Sequence, residues 1–271
     1  MKKLVIFILA ALLATSLVAC TASETNDLTS INDYVAPSFT EKVATGTISF
    51  EEGIGETAII SDYVGLYTAH EIVIPDTIQD RKVISIGKEA FYYCTAATSI
   101  KIPDTVETIG DWAFAGCTSL ETIVIPASVK SIGKGAFNGC TSLKSVVFEG
   151  NAVVTIGDYA FNDCTVLESI TLPASVTAIG VEAFRDCEAL TAFTAPESLK
   201  TIGDMAFYGC TGLNAEGALV LGESIEKIGE FAFADINKLY ITAPAGSYAA
   251  EYVEEMRDFE ETETEETEAA E

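Results

Sequence analysis

The dipeptide Ile-Gly recurs at Ile86, Ile109, Ile132, Ile156, Ile179, Ile202 and Ile228, at intervals of 23, 23, 24, 23, 23 and 26 residues. Four residues after each Ile comes Ala-Phe, from Ala90-Phe91 to Ala232-Phe233, and three residues after the Phe comes Cys in six of the seven units. A Leu generally follows three residues later, then an Ile-x-Ile-Pro segment such as Ile123-Val124-Ile125-Pro126, and a Val or Leu such as Val129 closes the unit. A period this short excludes most architectures. One unit has no second face against which to bury its apolar side, so the units must stack and share a continuous core.

Each segment of the unit carries its own expectation. Ile-x-Ile alternates apolar and other residues with period two, which describes a short strand buried on one side. Pro103, Pro126, Pro173 and Pro196 end those strands, because proline has no N–H to give to a ladder. Ile-Gly-x-x-Ala-Phe places apolar groups at i, i+4 and i+5, which suits one helical or 3-10 turn entered after glycine. The expected fold is a solenoid of short parallel β-strands with short helical or 3-10 turns, about seven 23-residue repeats plus caps, over residues 55–250.

The pattern resembles the BspA-type leucine-rich-repeat family of bacterial surface proteins. The resemblance implies a leucine-rich-repeat solenoid. It places the first unit over Ala58 to Ile86, with Ile72-Val73-Ile74-Pro75 as its strand, and an exit cap at Pro244 to Tyr252. It also implies adhesion to, or interaction with, host matrix proteins, host cells or other bacteria. Three units depart from the pattern. The third has Glu149 in place of the strand proline, the sixth carries an insertion around Asn214 to Ala218, and the seventh has Ile236 where Cys would fall.

The ends of the chain differ from this body. Lys2 and Lys3 precede an apolar run from Leu4 to Leu13, and Leu17-Val18-Ala19-Cys20 follows. A basic start, a run of this length and small residues at the cut describe a secretory signal over 1–19, too short for a spanning helix. The last four residues resemble the lipobox of bacterial lipoproteins, which implies lipidation of Cys20. An ordinary signal cleaved near a cysteine is the alternative. Residues 20–54 are expected to be the lipidated cysteine and a polar tether. From Glu251 to Glu271 there are eleven acidic residues and one Arg. Such a segment buries too little apolar surface to offset the entropy of ordering. It is expected to be a disordered acidic tail, serving either as a solvated spacer or as a ligand for divalent cations or a basic partner.

A net charge of −26 argues against nucleic acid and anionic membrane surfaces, both of which call for a basic face. The repeat cysteines, Cys94, Cys117, Cys140, Cys164, Cys187 and Cys210, fall once per unit at one place. Neighbours in a stack lie about 5 Å apart, within disulfide reach, but equivalent side chains point the same way rather than at each other. A ladder of buried thiols is expected. With no CxxC pair and no nearby His, no metal site is expected.

Nothing in the chain assembles catalytic chemistry. His70 is the single histidine and has no partner placed by a motif, and the glycines form no phosphate-binding pattern. The expectation is a non-enzymatic, cofactor-free, monomeric binding protein outside the cytoplasm, anchored to a bacterial membrane by lipid alone and surface-exposed. Its partner would be a protein or glycoprotein, of host matrix or cell surface. A scaffolding lipoprotein of the envelope, or an accessory subunit of a membrane complex, is the competing expectation. Two surfaces are candidates. The outward strand face carries Thr98, Lys101, Glu121, Lys144 and Glu168, and equally suits plain solvent-compatible strand formers. The variable pairs around Ala-Phe carry Trp112, Tyr159, Tyr92, Tyr93 and Tyr208, aromatics with a polar edge that suit either a binding hot spot or packing on the adjacent turn.

Overall fold

The computed structural model describes residues 38–43, 46–65, 70–237 and 240–256. The signal segment, Cys20 and the tail beyond residue 256 lie outside the described residues. The repeats wind into a parallel β-solenoid in which each 23-residue unit makes one coil. In the second coil and every later one the residue before Ile-Gly and the Ile itself form a two-residue strand, as at Thr108–Ile109, Ser131–Ile132 and Thr155–Ile156, and in the first coil they end a longer strand. Each such Ile pairs in parallel with its counterpart in the next coil, from Ile86↔Ile109 through Ile202↔Ile228. This ladder is the longest in the molecule. Ile-Gly therefore belongs to a strand, and not to the opening of a helical turn.

The glycine of each pair follows from that ladder. A Cβ on Gly157 would lie 2.7 Å from the carbonyl carbon and oxygen of Gly133, and one on Gly110 would lie 2.7 Å from the carbonyl carbon of Gly87. Successive backbones are in contact there, and only a residue without a side chain fits.

The Ile-x-Ile segments make a second parallel ladder, as expected. It runs through Glu71–Val73, Ser99–Lys101, Thr122–Ile125, Ser145–Phe148 and Ser169–Ile170. A separate three-stranded ladder of Phe193–Thr194, Leu219–Val220 and Ile241–Thr242 takes over in the last coils. Phe193 stands where the other coils have Ile, Val or Leu and puts a ring against Phe207, centroids 4.7 Å apart.

The third side contains little helix among the described residues; a 3-10 segment, Thr211–Leu213, follows Cys210. From Glu89 to Cys94 the backbone N–H groups alternate in their use. Those of Glu89, Phe91 and Tyr93 donate to Asp111, Ala113 and Ala115 of the next coil at 2.7–2.9 Å. Those of Ala90, Tyr92 and Cys94 donate three residues back within their own coil at 3.0–3.4 Å. Left-handed residues make the alternation possible, with φ +58° at Glu89 and +54° at Tyr93. The apolar spacing that suggested a helix comes from this chain of turns.

Inside, Phe91, Phe114, Phe137, Phe161, Phe184, Phe207 and Phe233 are all buried, and successive rings stack with centroids 5.2–5.6 Å apart. Tyr63 continues the stack at one end, 5.1 Å from Phe91, and Tyr252 closes it edge-on to Phe233 at 6.3 Å. The thiols form the expected ladder, with a bond the sequence did not disclose. Cys117, Cys140, Cys164, Cys187 and Cys210 each donate S–H to the carbonyl of the Phe in the preceding coil, at 3.0–3.3 Å. All six repeat cysteines are free, five of them buried and Cys94 half-buried. Burial raises the pKa values of Cys94, Cys117, Cys140, Cys164 and Cys187, so the reactive thiolate is suppressed there. In the folded chain from Thr21 onward, Cys94 is expected to be the first residue alkylated at pH 8. The other five should label only after denaturant is added, as read by mass spectrometry; rapid native labelling of Cys140 or Cys164 would contradict the ladder.

Part of the stretch expected to be a polar tether, residues 20–54, is folded as strand instead. Strands β1 (Ser38–Val43), β2 (Gly46–Glu52) and β3 (Thr57–Gly65) fold as an antiparallel meander, and β3 pairs in parallel with Arg81–Ile86. Ile48, Phe50, Ala58 and Ile60 are fully buried, so the meander covers core that the first coil would otherwise expose. At the other end, residues 248–256 are helical, and the helix reaches into the segment assigned to the acidic tail. Its Ala249 and Val253, one turn apart, are buried, and Tyr252 donates its hydroxyl to the Gly229 carbonyl at 3.3 Å. Burial pushes the Tyr252 phenol up to about 12.

Candidate functional site

The turn side carries the variable residues in columns. The residue two after each Gly is left-handed in all seven coils, with φ between +53° and +59°: Glu89, Trp112, Gly135, Tyr159, Glu182, Met205 and Phe231. Four residues further on lies a second left-handed column, which includes Tyr93, Gly116, Gly139 and Asp163. Both are outward positions, where the side chain can change without touching the Phe stack.

In the first four coils these columns form one arrangement. Trp112 lays its indole over Gly135 of the next coil, where a Cβ would fall 2.3 Å from ring atom Cε3. The ring reaches on towards Tyr159, two coils away, and stacks on it with centroids 6.4 Å apart and planes inclined by 26°. Tyr93 likewise lies over Gly116, and Tyr92 meets it edge-to-face at 4.5 Å and 86°. Tyr92 and Tyr93 are 49% and 61% exposed, and Trp112 and Tyr159 are half-buried. Between them runs an open groove of about 330 Å³, lined by Tyr92, Tyr93, Trp112, Gly116, Asn138 and Asp163 among others.

Electrostatics separate the aromatics. Lys134 Nζ sits 5.1 Å from the Tyr159 ring centroid, and Arg185 sits 5.2 Å from that of Tyr208. Arg185 is held in turn by Glu182 at 3.0 Å and Asp186 at 3.2 Å. The negative charge of Glu182 raises the Tyr159 phenol above its ordinary value, so this tyrosine stays neutral through the physiological range. Asp163 has its carboxyl pKa raised, first by partial burial and then by the charge of Asp186.

The strand-face candidates occupy a different side of the coil. Lys101, Glu121, Lys144 and Glu168 are exposed and Thr98 is half-buried. Backbone bonds link them from coil to coil, with Glu121 N–H on Thr98 O, Lys144 N–H on Glu121 O and Glu168 N–H on Lys144 O. Lys144 and Glu121 pair with each other at 3.1 Å and leave little charge to offer a partner. His70 uses its carbonyl to accept from Thr98, and its ring Nδ1 lies 3.3 Å from Ala96 O. The structure thus brings Trp112, Tyr159, Tyr92 and Tyr93 together and sets Tyr208 apart with Arg185.

Three residues of this side were not singled out from the sequence. Phe231 is 60% exposed and occupies the same column as Trp112 and Tyr159, so the slot after Ile-Gly-x would have found it. Asn138 and Asp163 line the groove, and nothing local in the sequence marks either one.

A family model described as BspA type leucine-rich repeat region matches in six copies, over residues 66–191 and 143–251. Among solved structures, the chain is similar to a leucine-rich-repeat protein of T. pallidum, at 32% identity and a TM-score of 0.63, over 70% of this chain and 89% of that one. It is similar to a leucine-rich-repeat protein from Bacteroides ovatus, at 31% identity and TM-score 0.51, over 76% of this chain and 57% of the other. One from Eubacterium ventriosum is 30% identical with a TM-score of 0.50, over 60% of this chain and 48% of the other. The match therefore spans only about half the length of these last two proteins. Comparison with curated proteins finds no match.

Proposed function

The chain belongs to the BspA-type leucine-rich-repeat family, and on that premise we propose that it is a lipid-anchored cell-surface protein that binds a protein or glycoprotein partner on the turn side of its solenoid. Proteins of this family are typically surface-associated, protein-binding and non-enzymatic. The observation that carries the assignment is the outward pair Trp112 and Tyr159. Both hold left-handed backbone, which is costly for a bulky residue, and Gly135 shows that glycine satisfies the same slot. Their rings do not belong to the Phe stack, and part-exposed aromatics of this kind are the residues on which interfaces depend most.

The test is a crosslinking pull-down with the chain from Thr21 onward, against host extracellular matrix and whole-cell surface extracts. Saturable capture of a host protein is expected, and the Trp112→Ala/Tyr159→Ala form should lose roughly tenfold or more in affinity. Unchanged capture by that double variant would remove the site. Protease treatment of intact cells should also cleave the chain; complete protection would favour an envelope scaffold.

The anchor is proposed from Leu17-Val18-Ala19-Cys20. A thiol carrying a diacylglyceryl group holds a protein stably, whereas one acyl chain does so only marginally. Cys20→Ser is expected to move the chain from the membrane fraction to the soluble fraction; retention in the membrane would exclude the thiol as the attachment point. Among the described residues, no helix is long and apolar enough to cross a membrane.

A further inference from the structure

We propose that the groove between Tyr92, Tyr93, Trp112 and Asp163 receives a guanidinium or ammonium side chain from a basic segment of the partner protein. The inference deepens the partner assignment above and rests on it. Aromatic faces attract cations through the ring quadrupole, most strongly for Trp and Tyr and within about 6 Å of the centroid. This side of the molecule already uses that chemistry twice, with Lys134 over Tyr159 and Arg185 over Tyr208. Among the described residues, no Lys or Arg lies over Tyr92, Tyr93 or Trp112. Lys88, close by in sequence, pairs with Glu89 at 3.2 Å instead. Three aromatic rings of the same surface are thus left without the partner that the others have.

The groove also supplies the counter-charge. Asp163 is the one charged residue of its lining. Among the described residues its carboxylate accepts no hydrogen bond, and the neighbouring Arg185 is committed to Glu182 and Asp186. An anionic ligand would meet Asp163 unpaired, whereas a cation would pair with it. At longer range, a net charge of −26 draws basic partners and repels acidic ones.

The space exists because two adjacent coils lack the side chain that four of the others have. Gly116 and Gly139 stand where other coils carry Tyr93, Asp163, Asp186 and Asp235, all of them left-handed. Tyr93 lies over Gly116, and a Cβ on Gly139 would meet nothing closer than 3.9 Å. The gap is about two coils, or roughly 10 Å, long. That accepts one arginine or lysine head with part of its stem.

Trp112 is the only tryptophan in the chain, so its fluorescence and its single indole N–H resonance report on this groove alone. The probe is a Gly-Arg-Gly-Arg-Gly peptide against its citrulline twin, which keeps the shape of arginine and removes the charge. At about 0.15 M salt, exposed charges are screened beyond roughly 8 Å, which suppresses diffuse attraction to the acidic surface. The arginine peptide should shift both Trp112 signals saturably, and the citrulline twin should bind at least roughly tenfold more weakly. Gly139→Asn fills the gap with a residue that tolerates left-handed backbone, and should abolish the response with the melting temperature unchanged. Asp163→Lys places a competing cation at the site and should abolish it independently.

Equal binding of the two peptides would overturn the proposal. So would a response that survives in Gly139→Asn or Asp163→Lys, or no response at all. If the peptide is silent while the Trp112/Tyr159 double variant still loses its captured partner, the cation site fails and the partner surface stands. Failure of both experiments removes both.

Discussion

Phe137→Ala is expected to destabilise the solenoid by about 3–5 kcal/mol, the usual result of emptying a phenyl-sized space in a core that cannot collapse around it. Phe137 is fully buried between Phe114 at 5.2 Å and Phe161 at 5.3 Å, with ring planes inclined by only 11° and 4°. Its removal ends two stacked pairs at once, each contributing roughly 0.5–1.5 kcal/mol beyond area burial. The neighbouring rings are fixed by backbone ladders on both sides of the coil and have no freedom to close the gap. Because repeat stability is close to a sum of units and nearest-neighbour contacts, a loss in the third coil also weakens its contacts with the second and fourth. Denaturant unfolding followed by circular dichroism should show the midpoint falling sharply. Phe137→Leu, which keeps most of the volume but not the stacking, should fall in between. A cost below about 1 kcal/mol for the alanine form would mean that the ring is not packed as described.

Gly157→Ala should be the second large effect, with a sign opposite to what the exchange usually gives. Replacing glycine by alanine in compatible backbone commonly stabilises by about 0.4–1 kcal/mol, because the unfolded chain has less freedom to lose. Here the added methyl would lie 2.7 Å from Gly133 backbone atoms and 2.9 Å from the Ile132 carbonyl oxygen. Backbone in a ladder cannot step aside as a flexible side chain can, so the coils must separate. Overpacking of this kind costs about 1–3 kcal/mol or more. Gly222→Ala is the matched control: the nearest atoms to a new Cβ there are 3.8 and 3.9 Å away, and the exchange should be neutral or mildly stabilising. Equal melting temperatures for the two variants would refute the contact between successive glycines.

How much of this was legible in the sequence depended on whether a signal was local. The Ile-x-Ile strands were visible because alternation and a terminal proline mark them within four residues. The longer ladder was not, since a strand of two residues such as Thr155–Ile156 has no period to detect. The same shortness hid the turn side. Its left-handed residues include Glu89, Trp112 and Tyr159, where the sequence offers no glycine as a cue, and apolar spacing alone imitates a helix. In the opening meander, Ile48 and Phe50 alternate correctly but stand among Gly, Thr, Ser and Glu, so the stretch resembles a tether. Trp112 and Tyr159 could be placed in one column by counting from Ile-Gly. The groove could not be foreseen. It is made by what Gly116 and Gly139 lack, one and two coils on from Tyr93, and by a ring that lies down on Gly135.

The caps at the two ends of the Phe stack have a consequence for how such a chain can change over generations. Tyr63 and Tyr252 terminate the stack, whereas each stacked ring from Phe114 to Phe207 meets a Phe of the coil on either side. Duplication or loss of one whole unit between the caps would create no new type of contact and leave none unmet. It would change only the separation of the ends, by one ladder spacing of about 5 Å. Length is therefore an inheritable setting of this molecule, adjustable by recombination between near-identical stretches, while the pattern of outward side chains on each coil travels with the unit that carries it.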